Sequence, residues 1–346
     1  MAQRSGIKIF LFLLLFGAGF GAGFLVFAKP AVSDTTNQKA AIENNGGGDE
    51  ERLNGHYTFI NPLLECNNGP DYLSTKLLSF KSDISDLVDN LEEKGTIKYA
   101  AVYFRDLNNG PWFGINEREQ FYPASLLKTP VVMGILKAAE TDPSILDKKL
   151  KLDKGEKNPQ KHFFQPTRSV QVGKEYSIAD LLDLATTVSD NDAASLLLQF
   201  LGLDREATVY RDLGLSPPNH FDVRNSISVQ GYSSFFRILF NASYLSQEMS
   251  ERALAMLSRS EFKDGLVAGL PEGVSVAHKF GEFSYKDADG TSESQLHDCG
   301  VVYYPKKPYL ICIMTRGDSF PNLAQGIKEI SKAVYEAVDK QIGGGN

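Results

Sequence analysis

Apolar residues Ile84, Leu87, Val88 and Leu91 recur at three- and four-residue intervals, which predicts an amphipathic helix. Lys98 to Arg105 then alternates and is rich in Tyr, Val and Ala, the pattern of a strand. Asn108-Asn109-Gly110-Pro111 turns the chain, and Trp112 to Ile115 reads as the return strand. Helical spacing resumes from Ser125 to about Ala139, and again from Ile178 to Leu201, where Ser189 interrupts it. A Pro- and Asn-rich loop leads to a helix carrying Phe235, Ile238 and Leu239. Strand-like stretches return at Val274 to Phe283, Asp298 to Tyr304 and Tyr309 to Thr315. Leu323, Ile327, Ile330, Val334 and Val338 close the chain with a helix.

Two strands, a block of helices, three strands and a final helix predict a mixed α/β (α+β) architecture. Terminal helices would flank an antiparallel five-stranded sheet, with an all-helical subdomain inserted between its two halves. The boundaries expected are a domain over 56–342, with sheet halves at about 70–124 and 264–342 and the helical insertion at about 125–263. No internal repeat is evident.

The N-terminal pattern is different. Ile7 to Ala28 is apolar and broken only by Lys8, about 20 residues and long enough to cross a bilayer. Arg4 and Lys8 stand at its start and Asp34, Glu43, Asp49, Glu50 and Glu51 beyond its end, so the positive-inside rule places the rest of the chain outside the cytoplasm. The expectation is a single-pass membrane anchor over 1–28. The alternative is a signal peptide cleaved after Val26-Phe27-Ala28, which would give a secreted protein. Gly17, Gly19, Gly21 and Gly23 read as small residues permitting close helix contact within that segment, not as a phosphate loop. Residues 29–55 are rich in Asn, Gly, Asp, Glu and Thr and read as a disordered linker.

A formal net charge of −7 argues against nucleic acid as a partner, because phosphates are neutralised by Lys and Arg. The five histidines, His56, His162, His220, His278 and His297, lack the spacing of a helical metal pair, and His297-Asp298-Cys299 cannot converge from one strand. No metal or other cofactor is expected. Cys66, Cys299 and Cys312 are too few for a disulfide framework. A hairpin centred on Pro305-Lys306-Lys307-Pro308 would set Cys299 and Cys312 diagonally, about 7–8 Å apart, so buried free thiols are expected.

Three short motifs carry the candidate chemistry: Ser125-Leu-Leu-Lys128, Ser189-Asp-Asn191 and Lys279-Phe-Gly281. Their order matters more than any one of them, since Ser5 to Lys8 and Ser260 to Lys263 also match Ser-x-x-Lys. Alone, each has an ordinary structural reading: a capping serine with a solvated lysine, a helix cap, and an edge-strand lysine beside a packing glycine. Together they supply a reaction. Ser125 and Lys128 would share a helix face, so an un-ionised Lys128 could take the proton of a Ser125 nucleophile. Ser189 could relay that proton to a leaving nitrogen, while Asn191 orients a substrate amide and Lys128. Lys279 would supply positive charge for a substrate carboxylate and depress Lys128, and Gly281 would let the substrate backbone approach. The backbone N–H groups at the helix start and at Glu282 would bind an oxyanion.

In this arrangement the chain resembles the class A β-lactamase and penicillin-binding-protein group of serine hydrolases, whose Ser-x-x-Lys, Ser-Asp-Asn and Lys-Thr-Gly motifs it parallels. Phe121 to Met133 is similar to that family's nucleophile segment, Ile178 to Leu198 to its second motif region, and His297 to Pro305 with Leu310 to Gly317 to its last two strands. The likeness runs from about Leu78 to Val338 and implies an α/β sandwich with a helical insertion. Two positions and one segment depart from the family pattern. Phe280 stands where the family carries a hydroxyl, removing a donor and adding bulk, and Cys299 stands where a carboxylate-binding arginine is often found. The segment from Leu213 to Gln230 contains no glutamate to activate a deacylating water, and Asp222 is its only acid. The resemblance therefore implies an extracytoplasmic enzyme that opens β-lactams through a Ser125 acyl-enzyme and releases the product slowly. The alternatives are a D,D-peptidase acting on peptidoglycan stem peptides and a penicillin-binding module without turnover.

Overall fold

A computed structural model of the protein describes residues 50–52, 57–66, 75–108, 110–155, 162–219, 226–286 and 292–343. The expected anchor over 1–28 lies outside them. Among the described residues, no helix is long and apolar enough to cross a membrane. Glu50–Arg52, at the end of the stretch read as linker, pair antiparallel with Leu63–Cys66.

A five-stranded antiparallel sheet organises the domain. Its strands are β1 (Tyr99–Asp106), β2 (Trp112–Ile115), β3 (Val276–Lys286), β4 (Ser292–Val302) and β5 (Tyr309–Gly317), in the spatial order β2-β1-β5-β4-β3. Alternation along β5 sends Leu310, Cys312 and Met314 to one face and Tyr309, Ile311 and Ile313 to the other, and both sets are buried. One face packs on the terminal helices α1 (Thr75–Glu93) and α8 (Phe320–Gly343), through Ile84, Val88, Ile327 and Val334 among others. The other face meets the helical block between β2 and β3: α2 (Lys128–Thr141), α3 (Ile178–Thr187), α4 (Asn191–Leu201), α5 (Leu203–Asp212), α6 (Val229–Phe240) and α7 (Gln247–Leu257). Each face of the sheet thus has its own apolar core, and β3 is left as an edge strand beside the helical block.

Local chemistry sets the helix ends that matter. Ser177 and Asp180 form a reciprocal capping box that starts α3. Thr186 and Thr187 bond back to the carbonyls of Leu182 and Asp183 as the helix stops. Asp190 caps α4 by accepting the N–H of Ala193 at 2.6 Å. The helical region expected over Ile178 to Leu201 is therefore two helices, and Ser189 sits in the break.

Two expectations are corrected by strand pairing. β4 begins at Ser292, where it pairs with Lys286, not near Asp298; Ser292 to Gln295 is polar and lacks the alternation that marks a strand in sequence. The β4–β5 register closes at Val302 opposite Tyr309, with Lys306 in the turn at φ 62°. That hairpin is centred one residue earlier than Pro305 to Pro308 would place it. Cys299 and Cys312 are consequently direct partners, with Cα atoms 3.9 Å apart, and they form a disulfide instead of two free thiols.

Candidate active site

The segment leading to Ser125 is fixed before the serine is reached. His297 Nε2 donates to the carbonyl of Tyr122 at 2.9 Å while its Nδ1 accepts the N–H of Thr315 at 3.3 Å, which sets the neutral tautomer. Burial holds the His297 imidazole down to about 4. Gln295 accepts the N–H of Tyr122 at 3.2 Å. Ala124 then takes φ 50°, and Ala124–Leu127 form a 3₁₀ turn that runs directly into α2.

That turn improves on the helix expected from sequence. With three residues per turn, a 3₁₀ segment eclipses positions three apart, so Ser125 lies over Lys128. Ser125 Oγ is 2.8 Å from Lys128 Nζ. Tyr232, buried in α6, stabilises the turn from beneath by donating to the carbonyl of Leu126 at 3.1 Å, and its oxygen lies 2.9 Å from Thr129 Oγ1. Burial raises its phenol well above the usual value, so it stays a donor.

Lys128 Nζ touches four oxygens: Ser125 Oγ at 2.8 Å, the Ser189 carbonyl at 2.5 Å, Ser189 Oγ at 2.9 Å and Asn191 Oδ1 at 2.7 Å. Two of these, the carbonyl and the amide oxygen, can only accept. A neutral amine has two N–H bonds and one lone pair, so those acceptors use both N–H bonds and leave the lone pair for a hydroxyl proton. Ser189 adopts φ 56°, a left-handed conformation that non-glycine residues rarely hold. This directs both its carbonyl and its hydroxyl at Lys128. Asp190 locks the break, because its second oxygen accepts the N–H of Val170 at 3.2 Å while the first caps α4.

Lys279 arrives from β3 and donates to Ser189 Oγ at 2.8 Å. Its side chain is 0 % exposed. Desolvation, and next the positive charge of Lys128, hold its amine well below the ordinary lysine range. Gly281 follows on the same face of the strand. A Cβ there would lie 2.9 Å from the carbonyl of Pro123 and 3.2 Å from the backbone nitrogen of Leu126, so only glycine lets β3 come this close to the nucleophile turn. Glu282 comes next, beside that turn.

Ser125, Lys128, Ser189, Asn191, Lys279, Gly281 and Glu282 are thus gathered at one place, where α2, α4 and β3 meet. Asp222 lies outside the described residues. Phe280 does not project its bulk into open space: its ring is stacked on Phe262 at 4.2 Å and meets Phe164 edge-on at 5.1 Å. Cys299 is the cross-strand partner of Lys279 and is tied to Cys312. Several supports carry no sequence signature, among them Tyr232, His297 and the Glu282 carboxylate, because each acts on a residue remote in the chain. Among the described residues, no three His, Cys, Asp or Glu side chains are grouped so as to hold a metal ion.

Solved structures with the same fold include a point mutant of PBP-A in an acyl-enzyme complex with penicillin G, 23% identical, covering 76% of this chain and 97% of that one at a TM-score of 0.63. The class A β-lactamase from Mycobacterium abscessus is 21% identical over 74% of this chain and 99% of its own, at a TM-score of 0.64. A β-lactamase from Chitinophaga pinensis is 18% identical over 75% and 99%, also at 0.64. Identities this low speak for the fold alone. Curated protein sequences give no significant match. Residues 79–338 match the sequence profile of the beta-lactamase enzyme family, and the chain belongs to that family.

Proposed function

We propose that the protein is a serine hydrolase that opens β-lactam rings through a Ser125 acyl-enzyme and releases the acyl group slowly. The observation that carries this reading is the four-oxygen cradle around Lys128 Nζ, which leaves one amine lone pair for a hydroxyl proton. In the step envisaged, neutral Lys128 takes the proton of Ser125 as Oγ bonds to the lactam carbonyl carbon. The carbonyl oxygen becomes negative beside the N–H groups of Ser125 and Glu282. The C–N bond breaks, and the nitrogen takes a proton through Ser189, which lies within 2.9 Å of both lysines. Two ammonium groups on one hydroxyl repel each other, so the pair is not held doubly charged and one amine is left neutral to act as base.

Slow release follows from the segment Leu213 to Gln230, which has no glutamate to activate water. This same feature favours a second reading, a D,D-peptidase of cell-wall stem peptides that passes its acyl group on by another route. Either activity suits a catalytic domain held outside the cytoplasm by Ile7 to Ala28.

Time-resolved mass spectrometry of intact protein with penicillin tests the main reading. An adduct of the penicillin mass should form on the wild type, persist for minutes, and be absent from Ser125→Ala. A wild type without adduct defeats it. Release of terminal D-Ala from a stem peptide would identify the second reading, and fractionation of cells into membrane and soluble pools tests the anchor.

A further inference from the structure

The amine of Lys279 is engaged by the protein itself. Nζ donates to Ser189 Oγ at 2.8 Å and to the carbonyl of Phe280 at 2.7 Å, which are the two N–H bonds of a neutral amine, and the Phe280 ring lies 4.2 Å away. That ring is not a movable cover. It is 2 % exposed and clasped by Phe262 and Phe164.

The clasp is itself held in place. The Glu282 carboxylate accepts the N–H groups of Phe163 and Phe164 at 2.9 and 3.3 Å and lies 3.0 Å from His162 Nδ1. Its side chain is only 8 % exposed. Glu282 and the buried Asp298 are close enough to act on the Lys279 amine, and their negative charges favour its protonated form against burial. The other lysine of the site, Lys128, already meets four oxygens. A substrate carboxylate reaching Lys279 would find both of these N–H bonds used, an aromatic face beside the amine, and the negative charge of Glu282 close by.

We infer that this site does not select for a free carboxylate and acylates neutral acyl donors, such as esters of β-lactam acids, as readily as the anionic acids. The inference rests on the Ser125 acyl-enzyme reading and narrows its substrate class. Recognition then falls to Asn191, the close approach at Gly281, and the backbone at Glu282. The bonds exchanged are those of the acid: Oγ–C forms, the lactam C–N breaks, the Ser125 proton ends on nitrogen, and the ester group is untouched. A peptidase that depends on a terminal carboxylate is disfavoured by the same arrangement.

Benzylpenicillin and its methyl ester form a matched pair for the test, with the second-order rate of adduct formation on the full chain read by intact mass. A carboxylate held by a charge-assisted hydrogen bond should gain about tenfold or more. The expected wild-type ratio of acid to ester is below about tenfold. Phe280→Thr, which restores a hydroxyl, should raise the ratio, while Phe280→Leu should leave it unchanged. A wild-type ratio above about tenfold overturns the inference but leaves the acyl-enzyme standing. No adduct with either compound overturns both. The wild-type comparison decides the matter even if the variants do not fold.

Discussion

Lys128 and Lys279 reach the same oxygen from different elements, a helix and an edge strand: their Nζ atoms lie 2.9 and 2.8 Å from Ser189 Oγ. Two amines this close, one of them fully buried, are costly to keep charged together, and the amine of Lys279 is accordingly depressed. The site is therefore paid for in stability.

Replacing Lys279 with Met should expose that cost. The variant should be about 1–2 kcal/mol more stable near neutral pH while losing acylation. The sign follows from protonation: the unfolded chain keeps this proton up to the ordinary 10.5, whereas the folded state gives it up earlier. The burial penalty is full at low pH and shrinks as pH rises towards that value. Urea midpoints for both proteins between pH 6 and about 10 should converge from below. A gap that widens with pH would reverse the assignment.

Lys128→Arg separates base from charge. Arginine keeps the positive charge but cannot be deprotonated in a protein, so it cannot accept the Ser125 proton. Adduct formation should fall by about a hundredfold or more, with thermal stability changed far less than activity. An arginine variant that acylates at the wild-type rate would remove Lys128 from the base role.

Much of this arrangement was legible in the chain, for identifiable reasons. Strands β1, β2 and β5 and helices α2 and α8 announce themselves because one face of each is apolar and the period is kept. Ser125, Lys128 and Lys279 are legible because three short motifs of complementary residue types fall in a fixed order along the chain. The positive φ of Ser189 is invisible, since it follows from how two helices are stopped and restarted. The Glu282 carboxylate has no local signal, because its partner His162 is 120 residues away. From sequence Phe280 reads as added bulk beside the site, whereas in the fold Phe262 and Phe164 enclose its ring. The disulfide turned on a hairpin centre displaced by one residue, which no local pattern in Tyr303 to Pro308 specifies.

Gly281→Ala tests the approach of β3 to the nucleophile turn. The added methyl would sit 2.9 Å from the Pro123 carbonyl and 3.2 Å from the Leu126 nitrogen, both backbone atoms that cannot rotate away. The turn must shift by a few tenths of an ångström. Displacement of that order should slow acylation by about tenfold to a hundredfold with the fold intact. Circular dichroism identical to wild type with unchanged adduct kinetics would show that the contact does not bear on chemistry.

The disulfide makes a countable prediction. Of the three cysteines, Cys299 and Cys312 are bonded, so protein denatured without reductant should titrate no more than one thiol, and three after reduction. The bond closes a loop with a sequence separation of 13, for which chain entropy gives about 3 kcal/mol. Replacing both cysteines with alanine should lower stability by about that amount. Because Cys299 pairs with Lys279 across the sheet, reduced protein should also acylate more slowly than oxidised protein. Three thiols in oxidised, denatured protein would restore the reading of free cysteines.

His297 links acid sensitivity to the nucleophile turn. In the unfolded chain its imidazole takes a proton near 6.5, but in the fold only near 4, because the ring is buried and its Nδ1 accepts the N–H of Thr315. Between those values the unfolded state binds more protons, so stability falls as pH drops through the window, by up to about 3 kcal/mol. Carboxylates titrate in the same range, and His297→Gln isolates the histidine: its stability curve should be flatter than wild type between pH 6.5 and 4 by that difference. Protonation also ends the role of Nδ1 as an acceptor while Nε2 still holds Tyr122, so the strain falls on the segment that enters the Ser125 turn. Acylation by wild type should therefore decline over the lower part of this window more steeply than in the Gln variant. Parallel stability curves for the two proteins would mean that the ring is solvated or already charged in the native state.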